Sequence, residues 1–138
     1  MSEPAIAEAG TPPALNILVV DDSAMMRTMI KRAAAATGLP IGQIFEAADG
    51  QQALAVLEQQ HVDALFTDIN MPVMTGMELL QQIAGHERWQ HMVRVIISTD
   101  GSEARRNEAG ALNVRLYVEK PFRPEVMRDV LSDLTTAR

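Results

Sequence analysis

The chain has no cysteine, which excludes disulfide bonds, thiolate catalysis and cysteine-based zinc sites. No apolar run approaches the roughly 20 residues that span a bilayer, and the N-terminus lacks a basic stretch leading into an apolar one. Positive charge is in short supply: 12 Lys and Arg face 18 Asp and Glu, for a formal net charge of −6. That balance argues against a stand-alone nucleic-acid binder, because phosphate contacts need clustered Lys and Arg. There are no internal repeats. What remains, at 138 residues, 47% hydrophobic and 22% charged, is one ordinary globular domain. It is expected in the cytoplasm, with neither nucleic acid nor membrane as partner.

The charge is unevenly placed. Residues 1–86 hold three basic and ten acidic side chains, whereas residues 87–138 hold nine and eight. Such drift is ordinary on a solvated surface, and it is equally what a concentrated acidic site in the first half would produce. Composition does not choose between the two.

Residues 1–14, rich in Ala, Pro and Glu without periodicity, read as a flexible tail ahead of a domain at 15–138. From there short apolar runs alternate with helical patterns. Leu15–Val20, Gln43–Ala47, Val62–Thr67, Val93–Ile97 and Arg115–Glu119 read as strands. Between them lie helices over Ser23–Thr37, after Asp49, over Gly76–Ala84 and over Ser102–Leu112, with a last helix opened by Pro124. The first helix is expected to face inward through Met26, Met29, Ile30 and Ala33 and to stop at Gly38. The fourth has only Ala104, Ala111 and Leu112 to bury, so packing should hold it weakly. Five strands alternating with five helices predict an α/β fold, a parallel sheet covered on both faces.

In such sheets function sits at the carboxyl ends of the strands. The first strand ends in Asp21-Asp22, the third in Asp68, the fourth in Ser98-Thr99, and the fifth in Glu119-Lys120-Pro121. Singly, each has an ordinary explanation: a helix cap, an Asx turn, a surface lysine. Together they do not, since three carboxylates at one site repel each other unless a cation joins them. A hard divalent ion such as Mg²⁺ relieves that repulsion through oxygen ligands. Lys120, one of two lysines beside ten arginines, would set a compact point charge opposite Asp68. This set of groups suits phosphoryl transfer to a carboxylate: an Asp oxygen attacks in line, and the lysine and a serine hydroxyl hold phosphoryl oxygens.

The segments ILVVDDSAMMR, EAADG, DINMPVMTG, VIIST and YVEKPF, in this order and spacing, resemble the response-regulator receiver domain, and most closely its single-domain chemotaxis (CheY-like) type. The likeness covers roughly Asn16 to Leu134. It implies a flavodoxin-like doubly wound five-stranded parallel sheet, order 2-1-3-4-5, with five helices. It also implies that Asp68 is the phosphoacceptor. Asp22, Asp68 and the Asn70 backbone carbonyl would be direct Mg²⁺ ligands, with Asp21 acting largely through water and Mn²⁺ a substitute ion. Lys120 takes the family's lysine role, Pro121 its cis-proline, Ser98 its switch hydroxyl and Tyr117 its switch aromatic. Thr99 occupies the position that governs access to the phosphoryl group, where the family prefers a smaller residue. Asn113 stands where many relatives have glycine, and asparagine is the next-best left-handed residue.

The function so implied is that of a two-component response regulator. It would accept a phosphoryl group from a histidine kinase or a histidine phosphotransfer protein, and is expected to be a phosphoacceptor signalling domain and not an enzyme, catalysing only its own phosphorylation and dephosphorylation. A downstream protein would read the face built from the fourth helix, fifth strand and last helix, and the domain is expected to be a monomer. Two alternatives stay open: a phosphorylation-independent receiver acting as an interaction module, and a receiver excised from a larger regulator. The Met1 start and helical C-terminus lean against the second. His61, His86 and His91 form no metal-like pattern, the nine methionines read as core, and Trp89 has no assigned role.

Overall fold

The computed structural model describes residues 14–136; the predicted tail at 1–14 lies, save for Ala14, outside the described residues. The elements run β1 (Leu15–Val20), α1 (Ala24–Ala35), β2 (Ile41–Ala47), α2 (Gly50–Gln59), β3 (Ala64–Thr67), α3 (Gly76–Ala84), β4 (Val93–Ser98), α4 (Glu103–Ala111), β5 (Leu116–Glu119) and α5 (Pro124–Thr136). A single 3₁₀ turn, Glu87–Trp89, precedes β4. The strands form one parallel sheet in the order β2-β1-β3-β4-β5, as expected.

Local chemistry sets the helix starts. Ser23, Asp49 and Ser102 each accept a backbone N–H three residues on. Thr75 and Glu78 form a reciprocal capping box at α3, which satisfies two otherwise orphaned amides. Gly38 and Asn113 both take left-handed conformations, at φ 75° and 65°, closing the connections after α1 and α4. Val73 does so too, at φ 69°, where a β-branched side chain is strained.

The sheet separates two apolar layers. Leu18, Leu65 and Ile96 face α2 and α3 with Leu57, Leu79, Leu80, Ile83 and Trp89. Ile17, Phe66, Val95 and Ile97 face α1 and α5 with Ile30, Ala34, Met127, Val130 and Leu131. Three inward assignments need correction. Met29 is 49% exposed and Ala34 is buried in its place, because the buried stripe of α1 centres on Ile30–Ala34, a rotation the spacing alone does not fix. On α4 neither Ala104 nor Ala111 is buried, and Ala109 is the one residue of that helix that is. The methionines divide: Met71, Met77, Met92 and Met127 are core, while Met25 and Met29 face solvent.

β4 holds an anomaly that its apolar flanks conceal. Arg94 is 1% exposed, and its guanidinium reaches only the Trp89 carbonyl at 3.4 Å and the Gln90 amide oxygen at 3.3 Å. Its Nε has no partner, and burial pushes its pKa below the ordinary arginine value.

Candidate functional site

The parallel ladder runs one residue past the strand ends and thereby fixes the backbone of the predicted cluster. Asp21 N–H bonds the Ala47 carbonyl, Asp68 N–H the Val20 carbonyl, and Lys120 N–H the Ser98 carbonyl, at 3.1, 2.9 and 2.9 Å. Val20 pairs with Thr67 in register, so Asp21 and Asp68 emerge side by side. Carboxylate oxygens of Asp21, Asp22 and Asp68 lie within 4.8 Å of one another.

The three acids are not equivalent. Asp21 is buried, accepting from the Ser23 N–H at 2.9 Å and from Lys120 Nζ at 2.8 Å. Asp68 accepts from Lys120 Nζ at 2.9 Å and from the Ile69 N–H at 2.6 Å. Asp22 is exposed. Lys120 therefore bridges two carboxylates, a pairing with Asp21 that sequence reasoning missed. Burial opposes its charge, but hydrogen bonds to Asp21 and Asp68 and their charges outweigh that, and its pKa is raised above the usual lysine value. The Lys120–Pro121 peptide is cis.

Gly76 closes the floor of the site. Its N–H bonds the Ile69 carbonyl at 2.8 Å, and a Cβ there would lie 2.0 Å from the Asp68 carbonyl oxygen. Only glycine lets α3 start this close to the Asp68 backbone. Asn70 and Thr99 are both exposed along the same edge.

Ser98 is fully buried at the end of β4, and its Oγ accepts from the Asp100 N–H at 3.1 Å. Tyr117, half-buried on β5, donates its hydroxyl to the Asp100 carbonyl. The main chain of one residue, Asp100, thus joins the two residues with switch roles in the sequence reading, through its N–H on one side and its carbonyl on the other. Burial, then the nearby Asp100 charge, raises the Tyr117 pKa. Of the histidines, His61 and His91 stack at 5.0 Å on the far edge of the sheet, remote from this cluster, and all three are exposed.

All the donors offered by the acidic cluster are oxygens, and one carboxylate of the three is open to solvent. That set fits a hard divalent cation holding part of its water shell. No helix among the described residues is long and apolar enough to cross a membrane.

Comparison with known proteins agrees with this geometry. The family model for the response regulator receiver domain matches residues 17–132. The CheY homolog of Campylobacter jejuni, a chemotaxis protein, is 35% identical over 121 residues, covering 87% of this chain and 92% of its own length. The chemotaxis protein CheY of Pseudomonas aeruginosa is 34% identical over 120 residues, with 87% and 95% covered. Among solved structures, CheY4 of Vibrio cholerae superposes with a TM-score of 0.78 at 29% identity, covering 88% of this chain and 98% of its own. With its sheet order, strand-end acids and bridging lysine in place, the chain belongs to the response regulator receiver domain family, as a CheY-like receiver.

Proposed function

We propose that this receiver is a phosphoacceptor, taking a phosphoryl group onto Asp68 from a phosphohistidine of a histidine kinase or histidine phosphotransfer protein. The observation that carries the reading is Lys120 Nζ held between Asp21 and Asp68, at 2.8 and 2.9 Å, beside the exposed Asp22. An Asp68 oxygen forms a bond to phosphorus as the bond to the donor imidazole nitrogen breaks, and the electron pair leaves with that nitrogen. A carboxylate nucleophile needs no general base, so catalysis reduces to positioning and charge stabilisation.

Each residue has a part in that positioning. Lys120 turns from the carboxylates to a phosphoryl oxygen, and the Ser98 hydroxyl donates to another. Asp22, Asp68 and the Asn70 carbonyl would hold Mg²⁺, with Asp21, already committed to Lys120 and the Ser23 N–H, acting through water; Mn²⁺ would substitute. When bound, the ion supplies neutralisation of charge on the phosphoryl oxygens. Thr99, exposed at the rim, sets access for attacking water and so the lifetime of the acyl phosphate.

The signal leaves through Ser98. Drawn toward a phosphoryl oxygen, its Oγ releases the Asp100 N–H, and the carbonyl of the same residue holds Tyr117. The change is read on the face formed by α4, β5 and α5, where a target protein binds. That α4 buries only Ala109 suits an element that shifts, since moving segments come from the less stable end of a structure. The output is read as chemotaxis, a reading supported by the relatives named for it; the protein is taken to act in the cytoplasm, as a monomer, catalysing only its own phosphorylation and dephosphorylation.

The test is exposure to acetyl phosphate with Mg²⁺, followed by intact-mass measurement. The wild type should gain one phosphoryl group and Asp68→Asn none. A wild type that stays unmodified, or a variant labelled equally well, overturns the assignment.

A further inference from the structure

We propose that Arg106 is a positioning residue for Tyr117: anchored by Glu119, it lies over the ring and holds the tyrosine in its seat against Asp100. This rests on the phosphoacceptor reading in one respect, that Tyr117 changes position with the state of Asp68.

Tyr117 is fixed from three sides. Its inner edge packs against the core layer beneath α2 and α3. Its hydroxyl donates to the Asp100 carbonyl. Its outer face is covered by the Arg106 guanidinium, 4.5 Å from the ring centroid. An arginine on an exposed helix has no reason to hold one rotamer, because fixing so long a side chain costs conformational entropy. Here that cost is met by two further contacts. Arg106 Nε donates to the Gly101 carbonyl at 3.2 Å, and an NH2 proton goes to Glu119 Oε1 at 3.0 Å.

Glu119 stands two residues after Tyr117 on β5, so the pleat puts both on one face of the strand. Gly101 leaves the space that the pair needs, since a Cβ there would lie 2.2 Å from the Glu119 carboxyl carbon. The planar guanidinium presents its face to the ring while its edge bonds the carboxylate and the carbonyl. A lysine ammonium has no such plane and cannot do all three.

The acceptors matter as much as the donor. Asp100 supplies the carbonyl for Tyr117 and Gly101 the carbonyl for Arg106. Both belong to the β4–α4 connection that follows Ser98, the last residue of β4. A shift of that connection when Ser98 changes partner would loosen the seat and the clasp over it together. Arg106 and Glu119 therefore set how firmly Tyr117 is held, and with it how sharply the face between α4 and β5 responds.

The chain has a single tyrosine, so biosynthetic 3-fluorotyrosine gives one ¹⁹F reporter at position 117. Wild type, Arg106→Ala, Arg106→Lys and Glu119→Gln would be compared, with Trp89 fluorescence and circular dichroism as checks of the fold. In Arg106→Ala the resonance should move and its H₂O/D₂O solvent shift should grow, as the ratio of held to released ring falls about three- to ten-fold, the size expected for a half-exposed cation–π contact plus a surface ion pair. Arg106→Lys should recover part of the change, and Glu119→Gln should move the signal the same way by less. A resonance and solvent shift unchanged in Arg106→Ala overturn the proposal. Beryllofluoride with Mg²⁺, added to each protein, tests the other reading separately. If it moves the signal in none of them, the coupling of Tyr117 to Asp68 is wrong, and the comparison without it still decides the role of Arg106.

Discussion

Lys120 Nζ and Asp21 Oδ2 lie 2.8 Å apart across a sequence separation of 99 residues, and the same ammonium is 2.9 Å from Asp68. Asp21 is 2% exposed, so a buried carboxylate has its charge answered by a side chain from three strands away in the sheet. The ammonium is the resting counter-charge of the site, and its hold on two acids has consequences for pH, metal binding and stability.

The first consequence is a displaced lysine titration. The raised pKa of Lys120 means that its contribution to stability is fully present below the ordinary value of 10.5. It is lost as pH rises through the higher folded-state pKa. With ¹³C-labelled lysine only two side chains report. The Lys120 signal should titrate above 10.5 and move downward in Asp68→Asn, which removes one of the two negative charges that favour its protonated form. A midpoint at or below the ordinary value in the wild type would contradict the bridge.

For Asp22 the expected effects have opposite signs. Its carboxylate stands within 4.8 Å of two others and is exposed, so Asp22→Ala relieves repulsion in the metal-free protein and should raise stability by about 1 kcal/mol. The same change removes a proposed direct ligand. Thermal melts with and without Mg²⁺ should show a higher midpoint without the ion and a much smaller response to it than the wild type. An undiminished Mg²⁺ response would remove Asp22 from the ligand set.

Val73 combines a left-handed backbone, φ 69°, with 72% exposure. It is strained and has little burial to set against the strain. Asparagine adopts this conformation more readily, so Val73→Asn should stabilise the fold by about 1 kcal/mol. Denaturant unfolding measures it; a lower midpoint at unchanged slope would show that the valine side chain holds something after all.

Arg94 should be replaceable. Its two hydrogen bonds are long, its Nε has no partner and no carboxylate contributes to its pKa. An apolar residue of similar volume in place of a poorly compensated buried charge is commonly neutral or stabilising by about 1–2 kcal/mol. Arg94→Met should therefore unfold at an equal or higher denaturant concentration. A loss of more than about 2 kcal/mol would show that the bonds to Trp89 and Gln90 organise the turn before β4.

The fold was legible because a doubly wound sheet writes itself as short apolar runs ending in polar residues. Leu15–Val20 and Gly76–Ala84 were located to the residue, and the strand order followed from the family likeness and was found in the structure. The convergence of Asp21, Asp22, Asp68, Ser98 and Lys120 was legible for the same reason, since parallel strands bring their carboxyl ends to one edge. Periodicity gives a helix a face without fixing its centre, hence the exchange of Met29 for Ala34. Arg94 was hidden because a charged residue among Val, Val and Ile cannot announce that it is buried. The contacts of Asp21 with Lys120 and of Arg106 with Tyr117 depend on how far long side chains reach once elements pack, and no local pattern records that.

The route from Ser98 to Tyr117 runs through the main chain of Asp100, whose N–H meets one and whose carbonyl meets the other. Its carboxylate is engaged elsewhere, accepting the Ser102 N–H at the start of α4. Although the Asp100 charge is felt at Tyr117, the hydrogen bonds of the route need no particular side chain at position 100, and proline alone, lacking the N–H, would cut the route. A substitution at that position other than proline would therefore leave the proposed route from Ser98 to Tyr117 in place.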